Sequence, residues 1–367
     1  MSILVVQVSP YPPEPGSDYH AHLAEALMKA GTPVVVLAGR GARGGGGAGV
    51  PVYPFYWAPR LREAGLAACI RAIASSLSIL AVVVEAARRL GYNVVVNFHY
   101  GPTTWPGVLL GEHYPAGMML ARLMGARVVW TVHAMLTPRQ ILEESRRRGL
   151  PLLLGLLAAA YYMLVALTAA ILSHRIVVLV DEEDAAAGRV IGSMLASGHK
   201  TLQAVHPYFP APRAAGRGGR LTVYCLGYIR REKAYHLIAP WLSSLRRRSP
   251  GLYSRLLVVV AGAAGERGVD KLYVELLKRQ AALLAPGSML VREGRLDREE
   301  FVDAVSSAWA IWCAYTGKYG PSGILAWARG AGARPICVKT MWGGCRGGAP
   351  SFEEHASWLI EGGVYGG

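Results

Sequence analysis

"GLPLLLGLLAAAYYMLVALTAAILSH", residues 149–174, carries no charged side chain before its closing histidine, and Arg146, Arg147 and Arg148 stand just ahead of it. Twenty or so apolar residues at about 1.5 Å each are enough to cross a hydrocarbon core of about 30 Å. The flanks decide otherwise. "ARVVWTVH" (Ala126 to His133) and "HRIVVLV" (His174 to Val180) both read as strands buried on two faces. If they share one parallel sheet, they lie on the same side of any bilayer, and a single crossing between them would tear the sheet. The segment is therefore expected to be a crossover helix. Gly155, Ala159, Tyr162, Ala166 and Ala170 recur at helical spacing and suit close approach to a sheet. Leu153, Leu157, Leu164, Leu167 and Ile171 fall around the other side, where a soluble crossover helix would be polar. That side is expected to meet lipid, with the arginines at the headgroups, or to be buried against protein.

The same alternation runs along the chain. "SILVVQVSP" leads through "YPPEPGSD" into the helical pattern "YHAHLAEALMKAG", with Asp18 as N-cap and Gly31 as stop, and then into the strand "TPVVVLAG". Residues 64–90 read as a long apolar helix, and "YNVVVNF" and "KTLQAV" as strands. The glycine-rich run at 39–49 has no GK[ST] and opens no helix, so it reads as a surface loop rather than a phosphate loop. His206 to Arg220, rich in Pro, Gly and Arg, reads as a linker stretch. Beyond it "LTVYCLG", "RLLVVVAG", "SMLVRE", "WAIWCAY" and "PICV" alternate with helical patterns. The expected architecture is α/β: two doubly wound Rossmann-like domains facing across a cleft, 1–207 and 220–367, joined by a linker at 208–219. Ligands are expected beyond the carboxyl ends of the strands.

Bulk composition narrows the function. With 39 Lys and Arg against 24 Asp and Glu, the net charge is +15, and Arg greatly outnumbers Lys, which favours a polyanionic partner. The five cysteines form no CxxC pair, so a zinc site or disulfide framework is not expected and a cytoplasmic protein fits. Ser2 to Val8 is too short for a secretory signal and has no basic stretch before it. Asparagine occurs only at Asn93 and Asn97, a hint of a thermophile. Basic residues are not interleaved with aromatics in a nucleic-acid module, so no nucleic acid is expected. "DEED" at Asp181 to Asp184 reads as a helix start.

Four stretches carry a family resemblance: "YPPEPGSDYHAHLAEAL" at the N-terminus, "VVWTVHA", "GYIRREKAYHLI" after the first strand of the second half, and "YTGKYGPSGILAWARGAGARPICV" after its fourth. In this order they resemble the GT-B fold glycosyltransferases of family 4, which are retaining and use nucleotide sugars. The resemblance implies a donor nucleoside-diphosphate sugar and an acceptor glycan or glycolipid on the first domain, with no cofactor and no metal; no DxD-like pair follows an appropriate strand. It implies that Lys233 grips the donor diphosphate. The family's arginine position holds Tyr228, and Arg230 and Arg231 in the same loop are expected to substitute. Gly16 and Ser17 stand where the family has a small-residue loop near the phosphates. Two family glutamates are missing, because Gly317 and Leu325 occupy their places. Tyr315, Ser322, Gly323 and Pro335 instead match a branch with the pattern "PY…SG…A…G.P". Physically, Ser322 can cap a helix whose free N–H groups form an anion site. His133 and His99 end neighbouring strand patterns and are expected to line the cleft, His133 touching donor sugar or acceptor. Tyr19 and His20 are acceptor-side candidates.

The expected activity is transfer of a sugar with retention to a lipid-linked acceptor at the inner face of the cell membrane, on which the protein sits peripherally or monotopically. The missing glutamates leave a non-catalytic homologue, binding a nucleotide sugar or a partner enzyme, as the alternative. A nucleotide-sugar epimerase has no supporting acid–base cluster.

Overall fold

The computed structural model describes residues 2–9, 19–38, 51–54, 61–100, 114–133, 137–147, 149–180, 201–205, 208–209, 220–265, 268–313 and 322–336. Two parallel sheets organise them. The first holds β1 (Ile3–Ser9), β2 (Val34–Ala38), β3 (Val52–Pro54), β4 (Asn93–Tyr100), β5 (Arg127–Val132), β6 (Arg175–Val180) and β7 (Thr201–Val205), in the order β3-β2-β1-β4-β5-β6-β7. The second holds β8 (Leu221–Leu226), β9 (Leu256–Gly262), β10 (Met289–Glu293), β11 (Ala310–Trp312) and β12 (Arg334–Ile336), in the order β10-β9-β8-β11-β12. Every ladder is parallel, as continuous apolar strands joined by helices require.

Helices cover both faces of the first sheet. On one face α1 (Tyr19–Lys29) packs over Val5, Val95 and Val129. On the other, α2 (Leu61–Arg89), α3 (Tyr114–Leu123), α4 (Pro138–Arg147) and α5 (Leu152–Leu172) pack over Val6, Val96, Val128 and Trp130. α3 touches both α2 and α5, and α4 lies against α5. The glycine stop of α1 is present: Gly31 has φ +78°, its N–H reaches Met28 O, and Thr32 N–H reaches Leu27 O.

The apolar stretch is α5, and its two sides differ as the spacing predicts. Gly155, Ala159, Tyr162, Ala166, Ala169 and Ala170 are buried. Leu153 is 67% exposed, Leu157 58%, Leu164 63% and Ile171 69%. β5 and β6, which flank it, are hydrogen-bonded neighbours with Val129 opposite Arg175, so α5 is a crossover within one sheet. α2 and α5 are both long and apolar enough to cross a membrane, but only 22% and 28% of their apolar windows are buried, far less than a core helix buries. Arg122 on α3 donates to the carbonyls of Ile171 and Leu172 at 3.2 Å each, satisfying the end of α5.

The second sheet carries α6 (Ile238–Arg248), α7 (Pro250–Arg255), α8 (Gly268–Leu284), α9 (Arg298–Ser307) and α10 (Gly323–Gly330). One apolar core continues from the first sheet into the second through Phe209. The Phe209 ring stacks on Trp327 of α10 at 4.8 Å, and His22 of α1 lies 5.5 Å from Phe209 and 5.9 Å from Trp327. Gly330 is held to glycine by this contact, because a Cβ there would stand 1.7 Å from the Phe209 carbonyl oxygen.

Three elements were not legible in the sequence. α7, with six residues, is too short to show its period. β3 has three residues, too few to show a period. α4 is strongly amphipathic but sits beside the apolar run of α5, which dominates any window over both.

Candidate functional site

Parallel sheets place chemistry where the strand order reverses. In the second sheet β8, β9 and β10 run one way and β11 starts again on the far side of β8, so the reversal lies between β8 and β11. The loop leaving β8 there is "GYIRREK". Gly227 turns the chain at φ +86°, in the left-handed region that favours glycine. A 3-10 turn at Arg231–Lys233 follows, and Ala234, at φ 50° and fully buried, folds the chain back. The Lys233 ammonium then lies over the end of its own strand. Its Nζ donates to Leu226 O at 2.7 Å, and Tyr235 Oη donates to the same carbonyl at 3.0 Å. Trp312, the last residue of β11, donates Nε1–H to Lys233 O at 3.2 Å and fixes the turn from across the reversal.

The start of α10 meets the same place. A Cβ on Gly227 would touch Lys233 Nζ at 2.7 Å and Ile324 Cδ1 at 3.7 Å. Ser322 caps α10, its Oγ accepting from Leu325 N at 3.2 Å. Arg230 lies over the Tyr228 ring at 4.9 Å. Burial, reinforced by the positive charge of Arg230, pulls Lys233 down to about 8, so it is still mostly an ammonium at neutral pH but a poised one. Cys225 and Cys313 nearby are held protonated, chiefly by burial, Cys313 pushed up to about 12. Lys233 and Arg230 thus meet the first turn of α10 at the reversal point, with Tyr228 and Arg231 in the same loop and Ser322 and Gly323 opening α10. This is a cationic site with N–H donors and no carboxylate where Leu325 stands, since Leu325 is buried in the shared core. Gly16, Ser17, Tyr315 and Gly317 lie outside the described residues.

In the first sheet the reversal lies between β1 and β4. There Tyr19, His20, His99 and His133 form one cluster, with ring centroids between 4.2 and 5.8 Å apart. Strand alternation places Gln7, Ser9, Asn97, His99, Thr131 and His133 on the α1 face of three adjacent strands and their ends, Gln7 opposite Asn97 and His99 opposite Thr131. Thr131 Oγ1 donates to Asn97 Oδ1 at 2.8 Å, Asn97 Nδ2 stands 3.1 Å from His99 Nε2, and His99 Nδ1 stands 3.1 Å from His133 Nε2. Ser9 Oγ lies 2.7 Å from His20 Nε2. Burial pulls His20 down to about 3, keeping it neutral.

Sequence reasoning missed Trp312, Tyr235, Asn97 and Thr131. The signal for Asn97 was available: two polar residues two apart, Asn97 and His99, interrupt an otherwise apolar buried strand.

No protein-family model matches the chain, and no curated protein matches it. Solved structures do. An α,α-trehalose-phosphate synthase (UDP-forming) from Burkholderia vietnamiensis superposes with a TM-score of 0.57 at 13% identity, over 100% of this chain and 91% of that one. A sucrose-phosphate synthase from Thermosynechococcus elongatus gives 0.56 at 12% identity, over 91% of this chain and 81% of that one. The E. coli trehalose-6-phosphate structure bound with UDP-2-fluoro glucose gives 0.53 at 12% identity, over 88% and 81%. The fold is therefore the two-sheet α/β arrangement of GT-B glycosyltransferases.

Proposed function

We propose that the protein is a glycosyltransferase that moves a sugar from a nucleoside-diphosphate sugar to an acceptor, with retention at the anomeric carbon. The observation that carries the reading is the meeting of Lys233, Arg230 and the Ser322-capped start of α10 at the β8–β11 reversal. A departing nucleoside diphosphate gains negative charge as the sugar–oxygen bond breaks. Fixed cations and N–H dipoles in a water-poor site stabilise that charge more than they stabilise the bound donor. Lys233 would release Leu226 O to take a phosphate oxygen, with Arg230 or Arg231 beside it. The leaving oxygen can accept the acceptor's proton on the same face, so no protein base and no metal at the diphosphate are needed. His133, His99, Tyr19 and His20 would line the acceptor side. The fold is shared with structures of sugar-phosphate synthases and with the E. coli trehalose-6-phosphate structure bound with UDP-2-fluoro glucose, which agrees with a nucleotide-sugar donor.

The acceptor is read as lipid-linked and the protein as docked on the inner face of the cell membrane. The outer layer of the first domain supports this. Ile70 and Val82 of α2, Met119 and Leu123 of α3, and the leucines of α5 all stay exposed on the same side of the sheet. Arg146, just before α5, is exposed and suits anionic headgroups. A second reading, a non-catalytic nucleotide-sugar binder, is favoured by one observation: Leu325, at a family glutamate position, is buried and apolar.

The test is incubation of purified protein with UDP- and GDP-sugars, with and without a lipid extract. Glycolipid formed with the donor's anomeric configuration is the expected result. A donor that binds but never turns over would establish the non-catalytic reading, and absence of any donor binding would overturn both.

A further inference from the structure

Three imidazoles from three separate elements converge on the α1 face of the first sheet. His20 comes from the first turn of α1, His99 from β4, and His133 follows β5 directly. One ring nitrogen from each lies within 4.8 Å of the other two, and His99 Nδ1 and His133 Nε2 are already 3.1 Å apart. In a tetrahedral zinc site with bonds of about 2.0–2.1 Å, ligand nitrogens sit about 3.3–3.4 Å apart. The His99–His133 pair lies within about 0.3 Å of that spacing. His20 has to move by about 1–1.5 Å, a small rotation of one side chain.

We propose that His20, His99 and His133 form a site for a divalent transition metal of the zinc class, with a fourth position left for water or a substrate oxygen. The site lies in the first domain, apart from the cationic set at the β8–β11 reversal, and stands independently of the donor reading.

Two further observations point to a ligand here. His20 Nδ1 is buried with no hydrogen-bond partner, while its Nε2 is held by Ser9. Gln7, fully buried in the same polar row, bonds through neither atom of its amide. Buried polar atoms are nearly always bonded, so this row is under-satisfied as the protein stands alone.

The surroundings also match what a metal-bound histidine needs. Such a ring passes its second N–H to a fixed acceptor, which sets its orientation. Behind His99 stands the Asn97 amide at 3.1 Å, and Thr131 Oγ1 holds the far end of that amide at 2.8 Å. In the metal-free state Thr131 donates to Asn97 Oδ1, Asn97 Nδ2 donates to His99 Nε2, and the His99 proton sits on Nδ1, shared with His133. With metal on Nδ1, that proton moves to Nε2. The Asn97 amide turns over, Oδ1 accepts from His99, and Nδ2 donates to Thr131 Oγ1. Only the oxygen and nitrogen of that amide change places, and no proton is lost. Ser9 plays the same part behind His20. A donor set of three imidazoles without a carboxylate selects zinc, cobalt, nickel or copper over magnesium, manganese or calcium.

The experiment is a Co²⁺ titration of the full chain after chelator treatment, followed by Zn²⁺ displacement, with Mg²⁺ as control. One Co²⁺ per chain with a visible d–d band, displaced by Zn²⁺ and ignored by Mg²⁺, is the expected result. His20→Gln should weaken binding at least about 100-fold, and Asn97→Leu about 10- to 100-fold, as loss of an outer-shell partner does. Each variant is first checked for a native melting transition without metal; if His20→Gln does not fold, His133→Gln carries the same test. Absence of the band, or Co²⁺ binding unchanged in folded His20 or His133 variants, would overturn the proposal.

Discussion

Replacing Leu157 and Leu164 by Asp tests what the outer face of α5 is for. Complete burial of a leucine side chain is worth about 1.5–3 kcal/mol. These two residues are 58% and 63% exposed, so each keeps about 1–2 kcal/mol for whatever covers the face. The double variant therefore forfeits about 2–4 kcal/mol of lipid contact, before the repulsion between two new carboxylates and anionic headgroups. At about 1.4 kcal/mol per factor of ten, vesicle partitioning should fall about 30- to 700-fold. Folding stability should fall by only about 1–2 kcal/mol, the part of the two leucines already buried in the fold, since neither belongs to the buried core. The assay is co-sedimentation with phosphatidylglycerol vesicles, beside a thermal melt. Equal sedimentation of variant and wild type would refute the reasoning. So would a wild type that ignores vesicles but forms an oligomer which the variant breaks, because the face would then be a protein interface.

Other consequences follow from the donor site. With Lys233 near 8, below its value in an unfolded chain, the free protein loses this ammonium as pH rises through 8. Diphosphate affinity should fall between pH 7 and about 9.5, and Lys233→Arg should flatten that dependence in a calorimetric pH series. The same depression means the folded chain binds fewer protons than the unfolded one between about 8 and 10.5, so this lysine adds stability as pH rises through that window. Ser322→Ala removes the cap of α10 and should cost about 0.5–2 kcal/mol in denaturant unfolding, with weaker diphosphate binding beside it. Gly262→Ala would drive a Cβ to 2.0 Å from the Gly227 carbonyl oxygen and should cost about 1–3 kcal/mol, read as a lowered melting temperature; a Tm equal to wild type would contradict the close approach of these strand ends.

Much of the fold was legible because both sheets are parallel and buried. Short runs rich in β-branched residues and bounded by turns, such as "VVVNF" and "RLLVVVAG", mark its strands, and the small-residue spacing of α5 names its inward side. The Ser322 cap was equally readable, because a serine before a helical pattern has one common use. What sequence could not supply was convergence. His20, His99 and His133 lie far apart along the chain, and only the β1–β4–β5 register brings them together. Trp312 reads as one more apolar strand residue, yet its indole N–H pins the Lys233 turn from the neighbouring strand. The Phe209–Trp327–His22 contact that joins the two sheets depends on a linker residue that no periodicity singles out.

The most direct test of the central claim is calorimetric titration of UDP, GDP and ADP into wild type and Lys233→Ala. The account predicts that one of these nucleoside diphosphates binds wild type. Loss of a charge-assisted phosphate contact of about 1.5–3 kcal/mol should weaken it about 10- to 150-fold in the variant, which should keep a cooperative melting transition in the absence of ligand. Equal affinity in the two proteins, or no nucleotide bound by wild type, would contradict it.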